Sequence, residues 1–257
     1  MNVAQGADGG TNWFDSDGQD YARFRPDYPP ALADHLAGLC ERRQLAVDVG
    51  CGTGQLSTLI AGHFDEVVGL DPSADQIANA SAHDRVRYSV ALAERLPLAD
   101  ASVDLITAAQ AAHWFDLPAF HAEARRIAAN GAILALISYG VLRLDPELDA
   151  CFQHFYHRDI GPFWPPERGL VDSGYATLDF PFEELAPPAL EIPKQWSLQQ
   201  FLGYIATWSA VRRARAEGQE ARLHDFARTL AGLWRNPAER RKVAWPINMR
   251  LGRLAAR

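Results

Sequence analysis

Hydrophobic positions along this chain fall into two regimes that meet near residue 139. In the first, short apolar and β-branched runs alternate with segments at helical spacing. Runs at 46–49, 66–70, 86–90, 103–108 and 132–137 read as strands. Between them, 55–61, 73–80 and 117–130 read as helices, the second opened by Ser73 as N-cap after Pro72 and the third closed by Asn130-Gly131. A further helix over 31–42 precedes the first strand. Strand and helix in alternation predict a parallel, doubly wound α/β sheet.

Beyond Tyr139 the alternation stops. Residues 146–160 form an amphipathic helix carrying Leu148, Phe152, Phe155 and Tyr156 on or near one face, and Gly161 to Pro166 breaks it. Leu178, Phe180 and Phe182 recur at period two within 176–183, which predicts a sixth strand, and Pro181 places it at an edge. Ser197 caps one long helix to Glu217 with Leu198, Phe201, Ile205, Trp208 and Val211 as its stripe, and 219–234 gives another. Alternation from Val243 to Leu251 gives a last strand, with a bulge expected at Pro246.

At 257 residues the chain suits one large domain or a domain with an inserted cap. A net charge of −7 argues against nucleic acid, whose binders carry a basic patch. Cys40, Cys51 and Cys151 are odd in number and widely spaced, so neither a disulfide framework nor a metal pattern is expected. No apolar run approaches the ~20 residues of a membrane span and the N-terminus lacks a signal peptide's regions, so a cytoplasmic protein away from membranes is expected.

The chemistry concentrates in Leu45 to Leu56, L-A-V-D-V-G-C-G-T-G-Q-L. A strand running into three close glycines and then a helix start presents backbone N–H groups to a ligand. The spacing is G-x-G-x-G. The dinucleotide fingerprint G-x-G-x-x-G would need glycine at 55, where Gln55 stands, so an NAD-dependent oxidoreductase is the disfavoured alternative. Asp48 at the strand tip is awkward beside a pyrophosphate but suits an ammonium or sulfonium, both of which S-adenosylmethionine (SAM) carries. Asp71 ends the second strand about twenty residues on, where an acid accepts from ribose hydroxyls. Glu94, after the third strand, lies where it can accept from the adenine amine.

V-D-V-G-C-G-T-G, Asp71 at its strand end, A-E-R-L-P-L and S-V-D-L-I-T resemble the successive motifs of class I SAM-dependent methyltransferases of the type 11 kind, in order between Tyr21 and Ser138. A-A-Q-A-A-H-W-F-D at 108–116, W-S-L-Q-Q-F-L-G-Y-I-A-T-W-S-A-V at 196–211 and V-A-W-P-I at 243–247 look like the trans-aconitate methyltransferase-like branch. The resemblance implies a Rossmann-like sheet of about seven strands, the last antiparallel, in a single domain over 28–257. Its cofactor-binding core would span 28–138, its helical cap insertions 139–174 and 186–240, and an N-terminal arm over 1–27 would close on the cofactor.

It also implies SAM as cofactor and S-adenosylhomocysteine as product, bound by Tyr21, Arg25, Asp48, Gly50, Cys51, Gly52, Thr53, Gly54, Gln55, Asp71, Pro72, Ala93, Glu94 and Gln110. His113 follows the fourth strand, just beyond the C-terminal ends where open sheets bind ligands, and is the candidate catalytic residue, lining the site or acting as general base. Tyr139, Trp164, Trp208 and Arg212 are candidates for the acceptor pocket, with Arg25 or Arg212 as partner for an acceptor carboxylate. The expected activity is methyl transfer to a small molecule, a carboxylate or hydroxyl, by a monomer or homodimer. A SAM-binding protein without transfer activity is the non-enzymatic alternative.

Overall fold

The computed structural model describes residues 26–254. They divide into two compact units, one of 27–143, 166–193 and 244–254, the other of Pro26 with Leu144–Pro165 and Lys194–Val243. Tyr21 and Arg25, and the expected arm with them, lie outside the described residues.

The first unit carries the sheet. After helix α1 (Pro30–Leu39) come β1 (Leu45–Val49), α2 (Gln55–Ile60), β2 (Glu66–Asp71), α3 (Ala74–Ala78), β3 (Val86–Val90), β4 (Val103–Ala109), α4 (Leu117–Ile127) and β5 (Ala128–Tyr139). β3, β2, β1, β4 and β5 lie side by side and parallel. β9 (Arg241–Arg253) closes the row antiparallel to β5, with Ile133 opposite Arg253 and Tyr139 opposite Ile247. Short strands β6 (Arg143–Leu144), β7 (Glu183–Leu185) and β8 (Leu190–Trp196) also pair with β9, making nine among the described residues. The doubly wound sheet with an antiparallel last strand is therefore present.

Both faces of β1, β2, β4 and β5 are covered, which is why these strands read as apolar runs, while β3 at the edge is largely exposed. Val47, Val49, Val68, Leu70, Ile106, Leu134 and Leu136 form one core with Phe120, Ala124 and Ile127 of α4 and with Val171 and Tyr175. On the other face Ala46, Val67, Leu105 and Ile133 are buried, as are Leu32 and Leu36 of α1 and Leu56 and Ile60 of α2. Each buried Val, Leu, Ile or Phe side chain among them contributes about 1.5–3 kcal/mol.

The second unit is mostly helical: α5 (Pro146–His154), α7 (Leu198–Ala206), α8 (Ser209–Ala216) and α9 (Glu220–Trp234). Phe155 stacks on Phe226 at 3.8 Å, and Trp234 is fully buried while its Nε1 donates to Glu239 O at 3.0 Å. Ser197 caps α7 in a reciprocal capping box with Gln200.

Four local expectations fail for physical reasons. Residues 176–182 are not a strand. Gly174 and Tyr175 turn the chain left-handed, and Phe180 and Phe182 press on Gly252 and His121, so the period-two aromatics fasten a loop instead of lining a pleat. Asn130-Gly131 does not end a helix. Gly131, at φ 75, sits inside β5, where the register against β4 shifts, so it serves a bulge. The helix predicted over 197–217 is two, because the Thr207 hydroxyl bonds back to Tyr204 O at 2.6 Å and the backbone extends at Trp208. The helix expected over 146–160 ends at His154 and continues as a π-helical turn over Phe155–Asp159. Strand β8 was hidden by Pro193, and α6 (Arg168–Asp172) is too short to leave a periodic signature.

A Cβ on Gly69 would lie 2.6 Å from Tyr88 Cδ1 and 3.1 Å from Cys51 Sγ. Gly69→Ala should lower unfolding free energy by about 1–3 kcal/mol, seen as a lower urea midpoint at constant m-value. An unshifted midpoint would mean that the Tyr88 ring is free to move aside.

Candidate active site

β1 and β2 end level, and the turn after β1 is fastened to the end of β2. The amides of Gly50 and Cys51 both donate to Leu70 O, at 2.7 and 3.0 Å. Gly52 N donates to Asp71 Oδ2 and Ser73 N to Asp71 Oδ1, each at 2.9 Å, so two backbone amides hold that carboxylate. Thr53 O accepts from Ser81 N at 3.0 Å, and Gly54 is the N-cap of α2 with φ 83.

The three glycines serve different needs. A Cβ on Gly50 would fall 2.4 Å from Ala111 Cβ, and one on Gly54 2.0 Å from the Tyr88 hydroxyl, so these two are required by protein contacts. Gly52 also has positive φ, yet a Cβ there would meet nothing nearer than Gln76 Oε1 at 3.6 Å. That side of the turn is open, and it lies beside Asp71.

Asp48 is buried beneath the turn. Ser57 Oγ donates to its Oδ2 at 2.7 Å and Thr107 Oγ1 to its Oδ1 at 2.9 Å, yet burial still pushes the carboxyl up to about 6. Cys51 is buried as well and its thiol is raised, so it is no nucleophile.

After β3, Asp71 faces Val90 in register, and both Val90 and Leu92 are exposed. The following loop is clamped from α4: Arg126 donates to Leu96 O and Leu98 O at 2.8 Å, while Glu123 accepts from Leu96 N at 2.8 Å. Ala93 is buried, and Glu94 Oε1 accepts from Asp116 N at 2.9 Å, tying this loop to the one after β4.

That next loop carries His113. Gln110, left-handed at φ 54, donates its N–H to Ile137 O at 2.8 Å and its Nε2–H to Tyr139 O at 3.3 Å. Ala112–Trp114 is one 3-10 turn, packed on the glycine turn through Ala111. His113 Nδ1 lies 2.8 Å from Tyr175 Oη, and the Trp114 ring, 68% exposed as a residue, tilts against the imidazole at 4.9 Å. Burial first, and Arg168 second, pull His113 down to about 4, against the opposing Glu167. The imidazole is uncharged at neutral pH.

The structure thus brings Asp48, the glycine turn, Asp71, Glu94, Gln110, His113 and Tyr139 onto the C-terminal ends of β1 to β5. Trp164, Trp208 and Arg212 belong to the second unit, where the two indoles lie 5.4 Å apart and Arg212 Nη1 donates to Thr207 O at 2.6 Å. Sequence reasoning missed Arg168, inside the cap insertion expected over 139–174, and Tyr175, between that insertion and the strand expected over 176–183. Gly174 beside Tyr175 was the one available signal. Among the described residues no group of three His, Cys, Asp or Glu side chains is placed to hold a metal ion, and no helix is long and apolar enough to cross a membrane.

Asp48 and His113 oppose each other in stability. A carboxyl raised to about 6 makes the folded state the better proton binder, so its contribution falls as pH rises from about 4 to 6. A histidine lowered to about 4 does the reverse, and its contribution falls as pH drops from about 6.5 to 4. Asp48→Asn should therefore gain on the parent by roughly 1–3 kcal/mol as pH is raised through that window, read from urea midpoints at pH 4.5 and 7.5. A pH-independent difference would mean that Asp48 is not raised.

A family model described as a methyltransferase domain matches residues 47–136. A Dictyostelium discoideum protein assigned as a methyltransferase is 37% identical over 221 residues, 84% of each chain. The solved structure of an Anaeromyxobacter dehalogenans protein assigned as a type II methyltransferase matches with a TM-score of 0.86 at 46% identity, over 91% of this chain and 99% of that one. A ubiquinone/menaquinone biosynthesis C-methyltransferase of Rubrivivax gelatinosus is 46% identical over 66 residues, 25% of this chain and 26% of that protein. The chain belongs to the class I SAM-dependent methyltransferases, and SAM is its cofactor.

Proposed function

We propose that this methyltransferase acts on a small oxygen-bearing acceptor, a carboxylate foremost, giving a methyl ester. SAM supplies a methyl group already activated by its sulfonium leaving group. What remains for the protein is to hold the donor, align the acceptor and exclude water.

The lining of the strand ends supports the donor assignments. Asp71 keeps lone pairs beyond its two amide bonds for ribose hydroxyls, and the second oxygen of Glu94 is available to an adenine amine. Exposed Val90 and Leu92 offer apolar cover for a flat base. Gly52 lets the ligand approach the backbone, and Asp48 supplies buried negative charge for the methionine ammonium. Cys51, Thr53, Gln55, Pro72, Ala93 and Gln110 complete the lining in this reading.

The observation that carries the acceptor assignment is His113, held by Tyr175 and packed, through Ala111, on the glycine turn. Arg168, although paired with Asp172 at 2.8 Å and opposed by Glu167, adds positive potential beside the imidazole, which favours an anionic acceptor over a neutral one. Tyr139, whose carbonyl receives Gln110 Nε2–H, borders the same loop.

Calorimetric titration should give binding of S-adenosylhomocysteine and none of NAD, and Asp71→Ala should weaken it by about tenfold or more, as expected for lost hydrogen bonds to a charged group. Asp71→Asn, which keeps an acceptor for one backbone amide, guards against loop collapse. Release of S-adenosylhomocysteine across a panel of small carboxylic acids then tests the acceptor. Binding without turnover on any acid, or turnover on neutral alcohols alone, overturns the carboxylate assignment.

A further inference from the structure

Tyr175 is fully buried and follows Gly174, and both residues are left-handed at φ 64. Bulky residues rarely adopt that backbone, which costs of order 1–3 kcal/mol and persists only where the surroundings impose it. Here they do. A Cβ on Gly174 would sit 2.9 Å from the Asn248 side chain, Tyr175 N donates to Leu170 O at 2.9 Å, and Arg250 Nη1 donates to Tyr175 O at 3.1 Å. The strain aims the phenol at His113.

Hydrogen-bond accounting then fixes which atom donates. A phenol has one hydrogen and accepts through its oxygen. Among the described residues, Tyr175 Oη has His113 Nδ1 as its side-chain partner at 2.8 Å. Were Nδ1 protonated, it would donate to the phenol oxygen. The hydroxyl hydrogen, fully buried, would then have no acceptor, at a cost of about 1–3 kcal/mol. With the hydroxyl donating to Nδ1 every group is satisfied. Burial keeps the imidazole uncharged at neutral pH, with Arg168 acting in the same sense and Glu167 against it, so its one ring hydrogen resides on Nε2.

We propose that Tyr175 is a positioning residue that donates to His113 Nδ1 and fixes the imidazole with its hydrogen on Nε2, so that His113 donates to an acceptor oxygen instead of removing its proton. This rests on the reading of His113 as an acceptor-site residue and narrows the acceptor class. A carboxylate loses no proton on becoming a methyl ester, so a donor-only histidine is sufficient for it. A neutral alcohol must shed a proton, and a histidine fixed in this form has no free nitrogen to take it.

The test is the ring nitrogen spectrum of the full-length protein labelled with 15N-histidine, at pH 7.5, with the His113 signals assigned by their loss in His113→Gln. The expected result is a single tautomer, Nε2 as a protonated pyrrole-type nitrogen and Nδ1 as an unprotonated pyridine-type nitrogen. In Tyr175→Phe, which keeps the ring and its packing, the two resonances should move toward each other as the tautomers average. A protonated Nδ1 in the parent protein, an imidazolium with both nitrogens protonated, or an unchanged single tautomer in Tyr175→Phe would each overturn the proposal. Titration of the same samples with S-adenosylhomocysteine reads the donor site separately: its failure would count against the donor assignments and leave the tautomer result standing.

Discussion

Two parallel strands ending at the same height, with the turn from one hydrogen-bonded to the end of the other, set the geometry on which the rest of the site depends. Leu70 O takes the amides of Gly50 and Cys51, and Asp71 takes that of Gly52. This holds the first three residues of the turn to β2 before any ligand arrives, leaving Gly52 as the open place of approach. The same turn is pinched from outside, by Ala111 against Gly50 and by Tyr88 against Gly54. A shift of an ångström in β4 or β3 would therefore move the turn. The loops after the three strands are coupled by contact at their roots, and Glu94 joins two of them directly.

Burial perturbs both titrating groups at the centre of the site, and in opposite senses. Asp48 lies under the turn with two hydroxyls donating to it and is still pushed up to about 6, because desolvation outweighs both hydrogen bonds. His113 is pulled down to about 4 by the same cause. Near neutrality the strand ends hold a buried negative charge at Asp48 and a neutral imidazole at His113. In the proposed function a cationic donor gains from the first, while an anionic acceptor meets no like charge at the second.

Legibility from the sequence follows this division. Between Leu45 and Ile127 local patterns and tertiary structure agree, because β1, β2 and β4 are buried on both faces and each loop begins where an apolar run ends. The turn, Asp71, Glu94 and His113 were placed on strand ends from those patterns alone, and the structure puts them there. Past Tyr139 the same rules mislead. Phe180 and Phe182 keep period two without forming a strand, since what they pack on is Gly252 of a strand some seventy residues later in the chain. Already within β5, Gly131 reads as a helix stop and is a strand bulge. Each error substitutes a local meaning for a residue whose role is set by a distant partner.

The surroundings of His113 are hard to read for a further reason. Four non-glycine residues among those described have positive φ: Ala101, Gln110, Tyr175 and Arg235. Nothing in a glutamine or a tyrosine announces that its backbone will be forced left-handed, so such positions leave no sequence pattern. Gln110 directs the chain from β4 into the His113 turn, and Tyr175 meets that histidine from 62 residues away. A donor shared across a family can be held by regular strand ends, which recur wherever the sheet does. An acceptor peculiar to one chain needs individually placed groups, and in the proposed reading those around His113 are held by backbone strain that surrounding contacts such as Asn248 and Arg250 sustain.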